Sequence, residues 1–188
     1  MGMAIANTER WTIERFRALP DDRNRYEIID GELFVTPSPS FPHQDAVASL
    51  FLQLRSYAVA HRVAHVLAAP ADVEYDEHTV VEPDILALPL REGRKPRSWQ
   101  EAGRLLLAVE VLSPSTARAD RTVKRKLYQR QGVPQYWIVD LDARLVELWR
   151  PGDDRPEIVT QRLEWQPDPE HPPLAIDLAQ LFSEIAGD

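Results

Sequence analysis

The chain has 188 residues, 44% of them hydrophobic, a net charge of −8 and no cysteine. This is enough for one globular domain with a real core, and it excludes disulfides, cysteine nucleophiles and thiolate zinc sites. The acidic balance argues against broad coating of nucleic acid, which relies on Lys and Arg neutralising phosphates, but it leaves room for a locally basic cleft.

In chain order, Met1 to Thr8 lacks the basic-then-apolar pattern of a secretory signal, and no apolar stretch reaches the ~18 residues of a membrane span. With the absence of cysteine, this points to the cytoplasm. Thr12 is placed to cap a short helix, Ile13 to Leu19. Tyr26 to Ile29 and Glu32 to Val35 flank Asp30-Gly31, a strong hairpin signal. Pro37 to Pro42 reads as a rigid connector. From His43 to about Arg62, apolar residues at three- and four-residue steps predict a helix.

Val63 to Leu67 reads as a strand, and the alternation of Ala71, Val73 and Tyr75 with acids predicts a half-buried one. Glu82-Pro83-Asp84 leads into the apolar strand Ile85 to Leu88. Pro89 to Gly103 reads as an exposed loop with one helical turn near Ser98 to Ala102. Leu105 to Leu112 is the next strand, followed by a helix from about Ala119 to Gln131 that stops at Gly132. Tyr136 to Val139 and Leu145 to Trp149 form a strand pair across a turn. Glu157 to Leu163 reads as a weaker edge strand. Asp177 and Gln180 open a last helix to about Ile185. The pattern is a mixed α/β domain with a central sheet covered on both faces.

The run Leu105 to Leu112 is unusual because one carboxylate, Glu110, lies inside it. A carboxylate buried without a partner costs several kcal/mol, so Glu110 needs a cation, a proton or a ligand. Asp84 opens an otherwise apolar strand. If the two strands are neighbours, Asp84 and Glu110 lie side by side and repel unless a cation sits between them, and Mg²⁺ suits such a pair. The alternative is that Asp84 caps a turn and Glu110 pairs with an arginine. Asp120, Lys124 and Tyr128 share one stripe of the following helix. Lys124 either reaches Glu110 or forms an exposed ion pair with Asp120.

Several motifs occur in a family-like order. They are Tyr26-Glu27-Ile28-Ile29-Asp30-Gly31-Glu32-Leu33, Ser38-Pro39 with His43-Gln44, Glu82-Pro83-Asp84, Glu110-Val111-Leu112-Ser113-Pro114-Ser115-Thr116, Asp120-x-x-x-Lys124-x-x-x-Tyr128 and Gly132-Val133-Pro134-Gln135-Tyr136-Trp137. Together, over about residues 26–149, the chain resembles the Uma2 family, which is grouped with PD-(D/E)XK nuclease-like proteins. The resemblance implies a single restriction-endonuclease-like domain, 1–188, with a four-stranded mixed sheet flanked by helices. It also implies a Mg²⁺-dependent phosphodiesterase site for which Mn²⁺ can substitute.

In that reading Asp84, Glu110 and the Val111 carbonyl hold the metal. Lys124 assists the attacking water, and Glu27 and His43 complete the site. Each of the last two has a structural rival: a hairpin salt bridge for Glu27 and a helix N-cap contact for His43. The sequence departs from the superfamily pattern at Leu112, where the lysine two residues after the acid is usually found; Lys124 matches a lysine supplied by the following helix.

Other signals are weaker. His61 and His65 lack the Glu of a zinc-binding H-E-x-x-H helix and read as surface residues. Ser113 and Ser115 lack a nucleophile elbow. Trp137 and Trp149 read as core or interface residues. Two functions follow: an endonuclease acting on DNA, with RNA left open, or a non-catalytic nucleic-acid-binding or assembly module that kept the fold. Cutting both strands of a duplex calls for paired sites, so a homodimer is expected, with Trp11, Phe16 and the hairpin ending at Trp149 as its surface; the alternative is that these aromatics cap the core of a monomer.

Overall fold

The structure, a computed structural model, describes residues 10–20, 22 and 24–188. Asp30 and Gly31 take φ of 53° and 83°, as a two-residue hairpin turn requires. They join β1 (Arg25–Ile29) to β2 (Glu32–Thr36), with Ile29 opposite Glu32. Ile28 packs outward with Leu33 and Val80, under Trp11 and the apolar side of α1 (Ile13–Arg17). Thr12 caps α1 by accepting from the Arg15 N–H. Side chains alternate along a strand, so Arg25, Glu27 and Ile29 point the other way, into the molecule.

Helix α2 (Phe41–His61) starts two residues earlier than the periodicity indicated. Ser40 accepts from the His43 N–H, and Pro42 sits in the first turn, where a missing N–H costs nothing. Its buried stripe includes Ala46, Leu50, Leu54 and Ala58. Next come β3 (His65–Ala68), β4 (Val73–Asp76), β5 (Thr79–Val81), β6 (Ile85–Leu88), α3 (Trp99–Ala102) and β7 (Leu107–Val111). A helical segment follows in three parts: α4 (Ala117–Ala119), a π-helical turn (Asp120–Lys124) and α5 (Arg125–Arg130). The chain continues through β8 (Gln135–Asp140), β9 (Leu145–Trp149), β10 (Glu157–Val159), β11 (Arg162–Trp165), β12 (Leu174–Asp177) and α6 (Leu178–Ala186).

The central sheet is mixed and has six strands in the order β10-β9-β8-β7-β6-β3, two more than the expected four. Its parallel pair is β7–β8, joined by the helical segment, because a parallel connection needs a crossover. Alternation sorts its side chains cleanly. Leu107, Val109, Val111, Trp137 and Val139 pack on one face with α2 and α6. Ala108, Tyr136 and Ile138 pack on the other with α5, α3 and the second sheet, β2-β1-β5-β4. Glu110 lies on this second face, at the end of β7. Helices on both sides of a mixed sheet make the restriction-endonuclease-like arrangement.

The structure corrects four expectations. The strand expected over Glu157 to Leu163 is two strands: β10 edges the central sheet, and β11 leaves it to pair with β12. Strands β5 and β12 were not foreseen; each is only three or four residues long, too short for a period to show. His61 and His65 are not free surface residues. His61 is half-buried against Tyr57 and His171, with ring centroids at 4.6 and 5.0 Å, and His65 has a buried Nδ1. The aromatics offered for a dimer surface are used within the chain. Trp149 is buried in the core with Arg125 over its ring, and Trp11 and Phe16 cover β1.

Candidate active site

Strands β6 and β7 pair antiparallel, with Ile85 opposite Val109, so Asp84 falls opposite Glu110 at one end of the sheet. The Val111 N–H donates to Asp84 Oδ2 at 2.8 Å, which fastens the carboxylate to the neighbouring strand. His43 Nε2, from the first turn of α2, lies 3.2 Å from the same oxygen. Arg25 of β1 lies 2.8 Å from Asp84 Oδ1 and 3.1 Å from Glu82 Oε1.

Lys124 reaches across from the helical segment. Its Nζ is 2.9 Å from Glu110 Oε1, 2.7 Å from Glu27 Oε2 and 3.6 Å from Asp120 Oδ1. Tyr128, one turn further on, donates its hydroxyl to Glu110 Oε1 at 3.4 Å. Glu27 Oε1 accepts the Glu82 N–H at 2.9 Å, so Glu27 ties the hairpin to the Glu-Pro-Asp turn. Asp84, Glu110, Asp120 and Lys124 are each at most 2% exposed. This overturns the reading of Asp120–Lys124 as a solvated surface pair.

Lys124 and Asp120 share this face by their four-residue spacing, and the turn between them is π-helical. The Arg125 N–H bonds five residues back to the Asp120 carbonyl, which also accepts the Tyr136 hydroxyl at 3.2 Å. A side chain inserted into a helical ladder widens it locally, and such turns recur at functional sites.

Glu27, Asp84, Glu110 and Asp120 are four buried carboxylates beside two permanent cations, Arg25 and Lys124. Fully ionised, the cluster would carry an excess of two negative charges, and the acids respond unequally. Burial would raise Asp84, but His43, Arg25 and the Val111 N–H outweigh it and hold its carboxyl at about 2. Burial pushes Glu110 well up, aided by Asp120, Asp84 and Glu27 and opposed by Lys124. Burial also raises Asp120, to about 6. Burial alone would lower Lys124, but Glu110, Glu27 and Asp120 win, and it stays an ammonium.

A cavity of about 300 Å³ opens onto this cluster. Arg25, His43, Asp84, Glu110, Val111 and Lys124 all reach its wall, and Ser113, Ser115 and Thr116 form its rim. Asp84, Glu110 and the Val111 carbonyl are hard oxygen donors, and Mg²⁺ takes one or two carboxylates and fills its sphere with water and substrate oxygens. Among the described residues no group of three or more His, Asp or Glu side chains is placed to hold a metal ion. All five side chains singled out from the sequence, Glu27, His43, Asp84, Glu110 and Lys124, meet here. Arg25 was missed. It lies two residues before Glu27, on the same strand face, and that alternation was the signal for it.

A mixed sheet that ends in paired carboxylates, with a lysine alongside, belongs to the nuclease-like class of folds. The chain itself is a member of the Uma2 family, whose model, described as "putative restriction endonuclease", matches residues 13–180. It is also similar in fold to the crystal structure of a protein from Anabaena variabilis described as a "putative nuclease belonging to DUF820". That similarity has a TM-score of 0.75 and 20% identity, and covers 93% of this chain and 98% of the other. No curated protein matches the chain. No helix among the described residues is long and apolar enough to cross a membrane.

Proposed function

We propose that this chain is a single nuclease-like domain that hydrolyses DNA phosphodiester bonds as a Mg²⁺-dependent endonuclease. The observation that carries the reading is the crowding of buried acids beside an open cavity. Buried acids that hold their protons because they are crowded favour exchanging them for a divalent cation, and Asp84, Glu110 and the Val111 carbonyl are the donors for it. When bound, such an ion polarises a phosphoryl oxygen and lowers the pKa of a water.

The chain's own residues do the rest. Lys124 is held protonated between Glu27 and Glu110, so it acts as a donor and a charge, not as a base. In that state it orients the attacking water and stabilises charge on the phosphorane-like transition state. Glu27 fixes the Lys124 ammonium, and His43 fixes Asp84. Cutting both strands of a duplex would pair two sites, most simply in a two-fold homodimer.

The test is incubation of pure protein with plasmid, single-stranded DNA and RNA in Mg²⁺, Mn²⁺ or EDTA. Cleavage of DNA that needs the metal is expected. Binding of nucleic acid without cleavage under any of these conditions would favour a non-catalytic binding or assembly module instead.

A further inference from the structure

Each carboxylate donor of the metal site carries a cation, Lys124 on Glu110 and Arg25 on Asp84, and Arg25 is the one that also lines a second, wider groove. Its guanidinium sits 2.8 Å from Asp84 Oδ1, and it also donates to the Glu82 carbonyl at 3.1 Å. Asp84 does not need Arg25 for its orientation, because the Val111 N–H and His43 already hold the other oxygen. Arg25 also has somewhere to go. It lines both the site cavity and a wider groove of about 490 Å³, which Phe16, Leu19, Asn24 and Tyr26 share with the acids Asp22, Asp72 and Glu82. A guanidinium is well suited to a phosphate, which it meets with two parallel N–H donors.

We propose that Arg25 is a built-in competitor of the metal, neutralising Asp84 while the site lacks an ion and releasing it when a nucleic-acid phosphate takes the guanidinium. This inference rests on the metal site proposed above. Metal and substrate then load together. A phosphate that draws Arg25 off Asp84 raises metal affinity, and by linkage the metal raises affinity for nucleic acid to the same degree.

The experiment measures Mn²⁺ affinity by calorimetry for wild type and Arg25→Met, with and without a DNA duplex carrying phosphorothioate linkages that resist cleavage. In wild type, DNA should tighten Mn²⁺ binding several-fold. Arg25→Met should bind Mn²⁺ about tenfold or more tightly without DNA, because a positive charge beside the ligand is gone, and DNA should then add little. Arg25→Met leaves Glu82 without its partner, so the pair Glu82→Gln and Arg25→Met/Glu82→Gln provides the same comparison if the single variant does not fold. Mn²⁺ binding in wild type with no gain on loss of Arg25, in either comparison, overturns the role of Arg25 alone. An unchanged DNA effect in the variants removes the gating. Absence of Mn²⁺ binding in every protein overturns the metal site as well.

Discussion

At the scale of single residues, the two paired acids differ more than their shared position suggests. Burial and the surrounding acids push Glu110 up, whereas His43, Arg25 and the Val111 N–H hold Asp84 down. Glu110→Gln mimics the protonated form that burial favours and should leave the melting temperature of the metal-free protein unchanged or higher. Asp84→Asn removes the more deeply buried of the two carboxylates that Arg25 pairs with and should lower it. Both should weaken Mn²⁺ binding sharply in calorimetry, and unchanged affinity in both would remove the shared site. Lys124→Ala leaves three buried carboxylates without their common cation, a loss of about 3–5 kcal/mol of stability. We predict that it abolishes cleavage without weakening Mn²⁺ binding, and full activity in this variant would reduce Lys124 to a structural role.

At the scale of elements, the β1–β2 hairpin matters because it delivers Arg25 and Glu27. Its register depends on a turn with two positive φ angles. A Cβ on Gly31 would be forced into the left-handed region and would meet the Arg10 side chain at 2.9 Å. Gly31→Ala should therefore cost more than about 1 kcal/mol. Urea denaturation should show a lower midpoint with an unchanged slope, and no loss of stability would mean that the turn geometry is not required.

At the scale of the whole molecule, the site makes stability depend on pH. Asp120 and Glu82 are held near 6 and 7, chiefly by burial, so the folded protein keeps protons that the unfolded chain releases from about pH 4 upward. The stability they contribute is complete below about pH 4 and is lost as pH rises through 6 to 7. Asp84 acts in the opposite sense, but only as pH falls from its ordinary 3.8 through about 2. Metal-free protein should therefore melt lower at pH 8 than at pH 5. Mn²⁺ should raise the melting temperature more at pH 8, where it no longer competes with protons. Equal shifts at both pH values would contradict this.

For assembly, Phe41, Leu52 and Val59 lie exposed on one stripe of α2 and replace Trp11, Phe16 and Trp149 as the surface that a homodimer would bury. Light scattering should give about twice 21.5 kDa, and the single-chain mass at micromolar concentration would rule the dimer out.

The amino-acid sequence by itself determined what is local. The Asp-Gly turn, the Thr12 and Asp177 caps, the long α2 and the strands around Glu110 and Trp137 follow from φ preferences, capping and period, which act over a few residues. The motifs also marked Glu27, His43, Asp84, Glu110 and Lys124. Only the tertiary structure decided how those residues meet. Strand order put Asp84 opposite Glu110, and the second sheet brought Arg25 and Glu27 onto the same cluster. The Tyr136 hydroxyl met the Asp120 carbonyl at the π turn, and burial turned what could have been a surface ion pair into a network. Each of these depends on contacts between residues far apart in the chain. Periodicity carries no information about such contacts, and the energy of a charge depends on whether they form.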